Sequence, residues 1–367
     1  MNPSLYAIPY RTVEPVRYIL PVDSSMPDLP VAILMEPTSA HVDNYLSGLA
    51  EARGVGQIAI TDPDGTMAAR AAKRVPASRM TVFRDYRELL AKVKPGLALV
   101  TYPADLAPPV VAAALDANCH VVVEKPGCVR VSDFVRLVQT ADSKHRHLQL
   151  ALANRALPLV LRARTLVDQG VIGRPYAAHL HLVADQSRLK RPGYPQTWFS
   201  RKSRTLGGFL AWLGLHYIDL LYYMTNDHAR QVTAMIQNAN RLPIEVEDSV
   251  GVALNTHKGV LATVHGGYYV SKGYQSGLHL WGSEGWLRLD INNGPQRLLE
   301  WCNYPGGGKV ESATSEAADA YKAFLQMEVT AILENRPALI SPAESLHIVQ
   351  TLDAAYRAAA QGKTQQI

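Results

Sequence analysis

The first half of the chain alternates short apolar runs with segments of helical spacing. From Val31 onward, each apolar run is followed by a turn and then by a stretch whose apolar residues recur every three or four positions. This alternation is typical of βαβ units and predicts an α/β fold with a Rossmann-type, doubly wound parallel sheet. Strands are predicted at 31–35, 57–61, 80–83, 97–101, 120–124 and 148–152, and helices at 42–53, 86–92, 110–117 and 157–169.

In the second half, apolar runs follow one another with only turn signals between them. The segment Gly282-Ser283-Glu284-Gly285 separates the runs 278–281 and 286–289, which indicates a hairpin. This half is predicted to be an α+β domain with a large open, mainly antiparallel sheet, and the domain boundary is expected near residue 150. Further strands are predicted at 176–184, 232–237, 250–255 and 260–266, and helices at 317–335 and 342–361, the last opened by a capping box of Ser341 and Glu344.

Composition narrows the class of protein. The 367 residues exceed what one hydrophobic core usually organises, which favours two domains. The 37 basic and 32 acidic residues leave a net charge of +5, a mild preference for anionic ligands that is too small to indicate nucleic-acid binding. Three cysteines without a paired spacing support neither disulfides nor structural zinc, so a cytoplasmic location is predicted. The lack of an eighteen-residue apolar run predicts no membrane association.

Motifs in a fixed order make the chain resemble a known family. They are Glu124-Lys125-Pro126 after the fifth strand, Gly207-Gly208, and Gly214-Leu215-His216-Tyr217-Ile218-Asp219. In these the chain resembles the Gfo/Idh/MocA oxidoreductases (glucose–fructose oxidoreductase, inositol dehydrogenase, rhizopine catabolism). The resemblance implies an enzyme that uses NAD, or NADP, on sugars, polyols and related small molecules, and that forms a homo-oligomer, a dimer or a tetramer. Residues 30–150 are then predicted to bind the dinucleotide and residues 151–367 to bind substrate and to form the oligomer, with no role assigned to residues 1–29.

Two residues of these motifs, Lys125 and His216, are predicted to be catalytic. The resemblance implies that Glu124, Lys125 and Pro126 bind the cofactor, with Lys125 at the nicotinamide end of its site. The end of a parallel strand faces the ligand crevice, where an ammonium group can stabilise a developing alkoxide; a surface lysine is the alternative. The resemblance puts His216 beside the substrate carbon, where a histidine can take the hydroxyl proton; a core histidine is the alternative. Asp219, on the same helix face, is predicted to orient a neighbour on the substrate side.

The loop after the first strand departs from the dinucleotide-binding pattern G-x-G-x-x-G. The aligned residues are Met35-Glu36-Pro37-Thr38-Ser39-Ala40. Pro37 lacks a backbone donor, and Glu36 brings a carboxylate to the phosphate site, where like charges repel. If Glu36 points outward, Thr38, Ser39 and Ala40 can still bind the cofactor phosphates at the helix start. Both orientations remain open at this stage.

Three further residues are predicted to contact the cofactor. Asp62, at the end of the second strand, takes the acidic position that binds the adenosine ribose and favours NAD over NADP. An aspartate that only opens the Asp-Pro-Asp-Gly turn is the alternative. Tyr102 and Pro103 follow the fourth strand, and the resemblance implies that this proline belongs to a cofactor loop.

One catalytic group of the family is missing. Most members carry a carboxylate four residues before the histidine, and this chain has Trp212 there. Losing a general acid–base group typically costs ~10²–10⁴ in rate, so His216 and Lys125 carry the proton work or the reaction differs. Trp212 is predicted to stack on a substrate ring, with simple packing as the alternative.

A basic loop over residues 188–204 holds six lysines and arginines and no acidic residue. The resemblance puts this loop beside the substrate. Arg191 and Arg201 are predicted to hold a negatively charged substrate, such as an acidic sugar or a phosphorylated compound. Trp198 and Arg155 are predicted to line the same side, and a solvated loop is the alternative.

The leading prediction is an NAD(P)-dependent dehydrogenase or reductase that acts on the CH–OH group of a sugar-like small molecule. The rival is a divergent member without redox turnover, either a non-redox lyase or a ligand-binding or assembly protein, because the glycine-rich loop and the usual carboxylate are both replaced. His179 and His181 share one strand face, but they lack clustered carboxylates, so no metal site is predicted.

Overall fold

The computed structural model describes residues 28–292 and 296–367. Most of the extension predicted at 1–29 therefore lies outside the described residues. The predicted strands of the first half form one parallel sheet: β1 (Leu29–Leu34), β2 (Val55–Thr61), β3 (Met80–Phe83), β4 (Leu97–Val100), β5 (His120–Val123) and β6 (Leu148–Leu150). Their spatial order is β3-β2-β1-β4-β5-β6.

The helices of this half follow their strands in sequence. They are α1 (Val42–Glu51), α2 (Met67–Ala71), α3 (Tyr86–Val93), α4 (Ala107–Asp116) and α5 (Val131–Ser143). Strand β4 is buried along its whole length, as expected of a parallel strand that is covered on both faces. The strand order reverses between β1 and β4, and in such sheets ligands bind outside the carboxyl ends of the strands at this point. The first half thus forms a crevice where β1, β4 and β5 end.

The second sheet has nine strands and is mainly antiparallel. It is built from β7 (Pro175–Asp185), β8 (Ala229–Gln237), β9 (Ser249–Thr256), β10 (Leu261–Val270), β11 (Gln275–Gly282), β12 (Gly285–Asp290), β13 (Gln296–Asn303), β14 (Val310–Glu316) and β15 (Gln365–Gln366). The order is β14-β13-β12-β11-β7-β10-β9-β8-β15, and β7 pairs with β10 in parallel. Helices α6 (Pro158–Asp168) and α7 (Leu215–Thr225) pack on one face of this sheet.

The two faces of the second sheet differ in polarity. Along β7, buried residues alternate with partly exposed ones, which is typical of a sheet with one covered face. On the uncovered face, Met235 and Leu261 are 78% and 61% exposed. His181 lies in the same row as Met235 across β9 and β10, and His179 pairs with Thr263, two residues after Leu261 on β10. The prediction of an open sheet is confirmed.

The chain returns to the first half at its end. Helix α8 (Ala320–Leu333) packs against α1, and helix α9 (Pro342–Gln361) packs against both α5 and β8. Gln326 exchanges hydrogen bonds with the backbone of Arg53, its Oε1 accepting from the N–H at 2.8 Å. The predicted capping box at Ser341 and Glu344 is present. None of the helices in the described part of the chain is long and apolar enough to cross a membrane.

Candidate active site

Lys125 is the second residue beyond β5, and its side chain is enclosed at the crevice. Its side chain is 1% exposed, and the Lys125–Pro126 peptide is cis. The Nζ atom donates a hydrogen bond to the carbonyl oxygen of Trp212 at 2.7 Å and lies 3.2 Å from the centroid of the Trp212 ring. Glu124 Oε1 lies 4.0 Å from Nζ. The amine is therefore held at the crevice by a carbonyl, an aromatic face and one carboxylate.

The surroundings of Lys125 change its proton affinity. Burial lowers the pKa of Lys125 to about 7; the negative charge of Glu124 opposes this effect and the positive charge of Arg188 adds to it. A lysine with a pKa near neutrality exists as amine and ammonium in comparable amounts, which suits a group that takes and returns a proton. This arrangement supports the interpretation of Lys125 as more than a surface residue.

Glu124 is fully buried and lies within hydrogen-bond distance of three groups. Its Oε2 accepts from the hydroxyl of Tyr45 at 2.6 Å and lies 3.0 Å from Nδ1 of His41, and its Oε1 accepts from the N–H of Lys125 at 3.1 Å. Burial alone would raise the pKa of Glu124, but the charges and hydrogen bonds of His41, Lys125 and Tyr45 outweigh burial and lower it. Glu124 therefore remains a carboxylate that links Lys125 to His41.

His41 is a site residue that the sequence did not indicate. It directly precedes α1 with a φ of 53°, and its ring stacks on Trp212 and Tyr321 with centroid distances of 5.4 and 5.5 Å. Its side chain is 28% exposed. His41 thus reaches solvent on one side and Glu124 on the other.

Aromatic rings of the second half cover the crevice. Trp212 stacks on Phe199 with a centroid distance of 4.7 Å and meets Trp198 edge-on at 5.3 Å. Both tryptophans are nearly buried and pack with Ala104, which follows β4, and with Ala40 of the loop before α1. The Trp212 ring thus covers the amine of Lys125 on the side of the second half.

His216 lies next to this cluster at the start of α7. The preceding residues, Leu210–Gly214, form a π-helical turn, a feature that often occurs at functional sites. Burial, followed by the charge of Lys125, lowers the pKa of His216 to about 3, and its Nδ1 has no hydrogen-bond partner among the described residues. His216 is therefore neutral near pH 7 and offers a free ring nitrogen, which suits hydrogen bonding to a substrate better than holding a proton.

Gly207 and Gly208 allow the segment before this turn to pack closely. A Cβ atom at Gly208 would lie 2.1 Å from the backbone oxygen of Glu247, and one at Gly207 would lie 2.0 Å from the ring of Tyr356. The carboxylate of Glu247 accepts from the N–H groups of Gly208 and Leu210 at 2.8 and 2.9 Å. These contacts fix the helix that carries Trp212 and His216 in front of Lys125.

Two models of one protein family match this chain. The model described as "Oxidoreductase family, NAD-binding Rossmann fold" (GFO_IDH_MocA) matches residues 38–152, and the "GFO/IDH/MocA C-terminal domain" model matches residues 160–288. The chain belongs to the Gfo/Idh/MocA family. The resemblance stated from the motifs is confirmed, and so is the predicted fold class.

Curated relatives of the family are sugar and polyol enzymes. The 1,5-anhydro-D-fructose reductase of Ensifer adhaerens is 29% identical over 182 residues, which cover 48% of this chain and 51% of that protein. The inositol 2-dehydrogenase of Salmonella typhimurium (strain LT2) is 24% identical over 210 residues, 56% of this chain and 58% of that protein. The chain thus spans little more than half the length of these curated relatives.

Solved structures of similar fold cover nearly the whole chain. An oxidoreductase domain protein from Kribbella flavida has a TM-score of 0.82 at 19% identity and covers 93% of this chain and 100% of that one. A levoglucosan dehydrogenase in complex with NADH and levoglucosan has a TM-score of 0.81 at 17% identity, covering 93% and 99%. At these identities the likeness shows the shared fold.

The family's NAD-binding domain is present, but several N–H groups of its phosphate loop already donate hydrogen bonds within the loop. Glu36 Oε1 accepts from the N–H of Thr38 at 3.0 Å and also from the Thr38 hydroxyl. The N–H of Ser39 donates to the backbone oxygen of Glu36 at 3.0 Å, and the Ser39 hydroxyl accepts from the N–H of Glu36 at 3.0 Å. Ala40 follows them and leads into the start of α1, the end of a helix that favours a phosphate. The residues present fit the family's cofactor at the helix start, with the Glu36 carboxylate as a competing anion.

Asp62 is placed at the expected strand end, but its carboxylate is already engaged. Oδ1 accepts from the N–H groups of Gly65 and Met67, and Oδ2 from that of Ala68, all at 2.9 Å. The side chain therefore orders the turn into α2, and its contact with the adenosine ribose stays a prediction.

Tyr102 and Pro103 lie at the carboxyl end of β4, beside the crevice. The ring of Tyr102 meets that of Tyr86 edge-on at 6.3 Å, and burial raises the pKa of Tyr102. The carbonyl of Pro103 accepts from the N–H groups of Leu106 and Ala107 at 2.9 and 2.8 Å and so begins α4. Both residues border the path from the loop of Ala40 toward Lys125.

Arg155 and Asp219 pair with each other in the interior. The Nη2 and Nε atoms of Arg155 donate to Asp219 Oδ1 at 2.6 and 2.9 Å, and Nη1 donates to Glu344 Oε1 at 2.7 Å. Arg155 is 1% exposed, and Asp219 is fully buried. The structure thus joins the turn before α6, helix α7 and the start of α9 through this pair, and these groups are occupied by one another.

The arginines of the basic loop differ in the groups that they contact. Arg201 pairs with Glu245 at 2.8 Å, and Arg191 is exposed without an ion pair within the described residues. Arg188 is different, because its guanidinium is enclosed by tyrosines: Nη1 donates to Tyr274 Oη at 3.1 Å, and the Tyr268 ring centroid lies 5.7 Å away. Arg188 is the arginine of this loop whose charge lowers the pKa of the Lys125 amine.

Proposed function

We propose that this protein is an NAD-dependent oxidoreductase that transfers a hydride between the nicotinamide and the CH–OH or C=O carbon of a sugar-like small molecule. The observation that carries the proposal is the enclosed amine of Lys125, with a pKa lowered to about 7, at the carboxyl edge of a dinucleotide-binding sheet. The names of the curated relatives, a sugar reductase and an inositol dehydrogenase, support the same substrate class.

Each residue has a defined task in this proposal. The bound nicotinamide supplies or accepts the hydride. Lys125, as the amine, takes the proton of the substrate hydroxyl during oxidation, and as the ammonium it returns the proton to the carbonyl oxygen during reduction. His216 stays neutral and orients the hydroxyl with its free Nδ1. Thr38, Ser39 and Ala40 hold the phosphates at the start of α1, where the helix favours anions.

We propose that the substrate carries a negative charge and that Arg188 recognises it. Arg188 is hydrogen-bonded to a tyrosine hydroxyl and has no ion pair with a carboxylate among the described residues. It lies close enough to Lys125 for its positive charge to lower the pKa of the lysine. An arginine beside the enclosed Lys125 that has no carboxylate partner of its own favours an anionic ligand. Arg188→Ala should weaken D-galactonate or D-glucuronate binding and spare neutral myo-inositol, whereas Arg191→Ala should change neither. Equal affinity of Arg188→Ala and wild type for these acids would contradict this part.

The proposal is tested by titrating the purified protein with NADH and NADPH, following nicotinamide fluorescence and the melting temperature. NADH is expected to bind more tightly than NADPH, and 1,5-anhydro-D-fructose, myo-inositol and sugar acids are then screened for turnover. The absence of any response at millimolar cofactor, with none carried through purification, would rule out the dehydrogenase.

A second candidate, a family member without redox turnover, is favoured by two observations. Trp212 replaces the usual carboxylate and covers the amine of Lys125, and Glu36 occupies a donor of the phosphate loop. This protein would act as a non-redox lyase or bind a ligand through the same crevice. This second candidate predicts that a sugar raises the melting temperature, while NADH and NADPH change neither the melting temperature nor the nicotinamide fluorescence. The titrations above, repeated with the sugars as ligands, detect this pattern.

We further propose that the protein acts in the cytoplasm as a homo-oligomer, a dimer or tetramer, through the open face of the second sheet. The exposed Met235 and Leu261 on that face support the proposal. Light scattering of wild type and of Met235→Glu tests it, and a monomeric wild type would contradict it.

A further inference from the structure

Lys125 is enclosed and therefore needs a neighbouring group to exchange protons with solvent. The carbonyl of Trp212 accepts the hydrogen bond of Nζ but has no proton to exchange, and the Trp212 ring covers the amine. Among the described residues, the carboxylate that forms an ion pair with Lys125 is that of Glu124, whose Oε1 lies 4.0 Å from Nζ. A shift of about 1 Å brings the two atoms into hydrogen-bond range.

Of the side chains that contact Glu124 Oε2 in the described part of the chain, His41 is the one that reaches solvent. Glu124 Oε2 lies 3.0 Å from Nδ1 of His41, and the His41 side chain is 28% exposed. The other partner of Oε2, the Tyr45 hydroxyl, is buried and donates its own proton to the carboxylate. The path from Lys125 to water therefore runs through Glu124 and His41.

We propose that Glu124 and His41 form a proton relay between Lys125 and solvent, which replaces the carboxylate that is lost at the Trp212 position. The inference rests on the proposed function. During oxidation, the substrate C–H bond breaks and its electron pair leaves as hydride to the nicotinamide. The O–H proton passes to the amine of Lys125 and from the resulting ammonium to the Glu124 carboxylate. Glu124 then passes a proton to the unprotonated Nδ1 of His41 in its Nε2–H tautomer, and Nε2 releases its proton to water; exchange with water returns His41 to this tautomer. Reduction runs the same steps backward.

The charged and titratable groups that face the relay come from four elements. Arg188 and His216 face Lys125 from the basic loop and from α7, and both favour its neutral form when they are charged. Tyr45 of α1 and Tyr321 of α8 face Glu124 and the His41 ring. Glu124 provides the negative charge that balances them, so a proton can leave Lys125 toward Glu124 and not toward Arg188.

The left-handed backbone of His41 allows a matched pair of variants. Asparagine tolerates a positive φ, so His41→Asn keeps the backbone and a donor to Glu124 but cannot carry the proton. His41→Gly also suits this φ and leaves space for imidazole from the buffer. His145 has a φ of 52°, is exposed and lies between α5 and β6, so His145→Asn makes the same change at the same backbone geometry away from the site.

The relay predicts a specific kinetic pattern. His41→Asn should lower turnover by ~10–100-fold, with the KM for the sugar and the Kd for NADH within about threefold of wild type. Imidazole at ~100 mM should restore turnover in His41→Gly, and the pH profile of the restored activity should follow the imidazole buffer. Turnover of His41→Asn equal to that of wild type and of His145→Asn would overturn the relay, and so would a loss that imidazole does not rescue.

A second measurement does not depend on turnover. In the protein without substrate, the rate of trace acetylation of Lys125 is followed against pH by mass spectrometry. Glu124→Gln removes the charge that raises the pKa of Lys125, so the midpoint should move to lower pH. An unchanged midpoint overturns the relay, because the first link is then missing. Wild-type protein that binds no NADH and turns over no sugar refutes the proposed function, and the relay with it, whereas an active wild type with an unaffected His41→Asn refutes the relay alone.

Discussion

Replacing Glu36 by glutamine should strengthen NADH binding. The Glu36 carboxylate accepts the N–H of Thr38 in the loop that leads into α1, which is where a dinucleotide phosphate binds in this fold. Two unit charges 4 Å apart repel by about 4 kcal/mol at an effective dielectric constant near 20, and solvent at this partly exposed side chain lowers the repulsion to about 2 kcal/mol. That energy corresponds to an improvement of about 30-fold in Kd.

Glutamine is the appropriate replacement because its amide oxygen can still accept the hydrogen bond of Thr38. NADH fluorescence titrations at ~50 mM and ~500 mM salt compare Glu36→Gln with Glu51→Gln, which removes an exposed carboxylate at the far end of the same helix. The gain should appear only in Glu36→Gln and should shrink at high salt, because screening weakens the repulsion. A Kd within twofold of wild type at low salt would refute the reasoning. The first glycine of the G-x-G-x-x-G pattern is not restored at Met35 in this test. Met35 is fully buried, and its truncation to glycine would lower the free energy of unfolding by about 2–5 kcal/mol.

Two further predictions concern buried charges. Lys125→Met should abolish turnover and raise the free energy of unfolding near pH 7 by roughly 2–3 kcal/mol, since the folded state no longer holds a desolvated cation. In the folded wild type the pKa of Lys125 is about 7, below the value of 10.5 in the unfolded chain, so the unfolded chain binds more protons between pH 7 and pH 10.5. The free energy of unfolding of the wild type should therefore rise across this pH window, and the extra stability of Lys125→Met should shrink. Denaturant titrations at several pH values measure both. Arg155→Met should leave Asp219 and Glu344 without their partner and cost about 3–5 kcal/mol of stability, with NADH affinity unchanged. A higher KM with unchanged stability would instead favour a substrate-binding Arg155.

The alternation of apolar runs with helical segments predicted the first sheet, because most of its strands are buried along nearly their whole length and read as continuous apolar segments. Strand β3 is partly exposed and gave a weaker pattern. The strands β13 and β14 were not predicted. Strand β14 (Val310–Glu316) is almost entirely polar and is held by its pairing with β13, and such pairing with another strand leaves no periodicity in the sequence.

The motif after β5 indicated Lys125 because its chemistry is local: a strand end, a lysine and a crevice. His41 could not be found in this way. Its position depends on a left-handed backbone, on the Glu124 carboxylate 83 positions later, and on the Tyr321 ring of a helix near the end of the chain. The assignment of Arg155 to the substrate side stays a prediction, and its interior pairing with Glu344 joins residues 189 positions apart.

The return of α8 and α9 to the first half has a consequence for how the molecule unfolds. The C-terminal helices cover α1 and α5 of the parallel sheet, while α9 also packs on β8 of the antiparallel one. Either sheet would therefore lose part of its apolar cover if the last fifty residues detached. The two halves should melt in one cooperative transition, and a fragment cut near residue 150 should be insoluble unless the C-terminal helices are supplied with it.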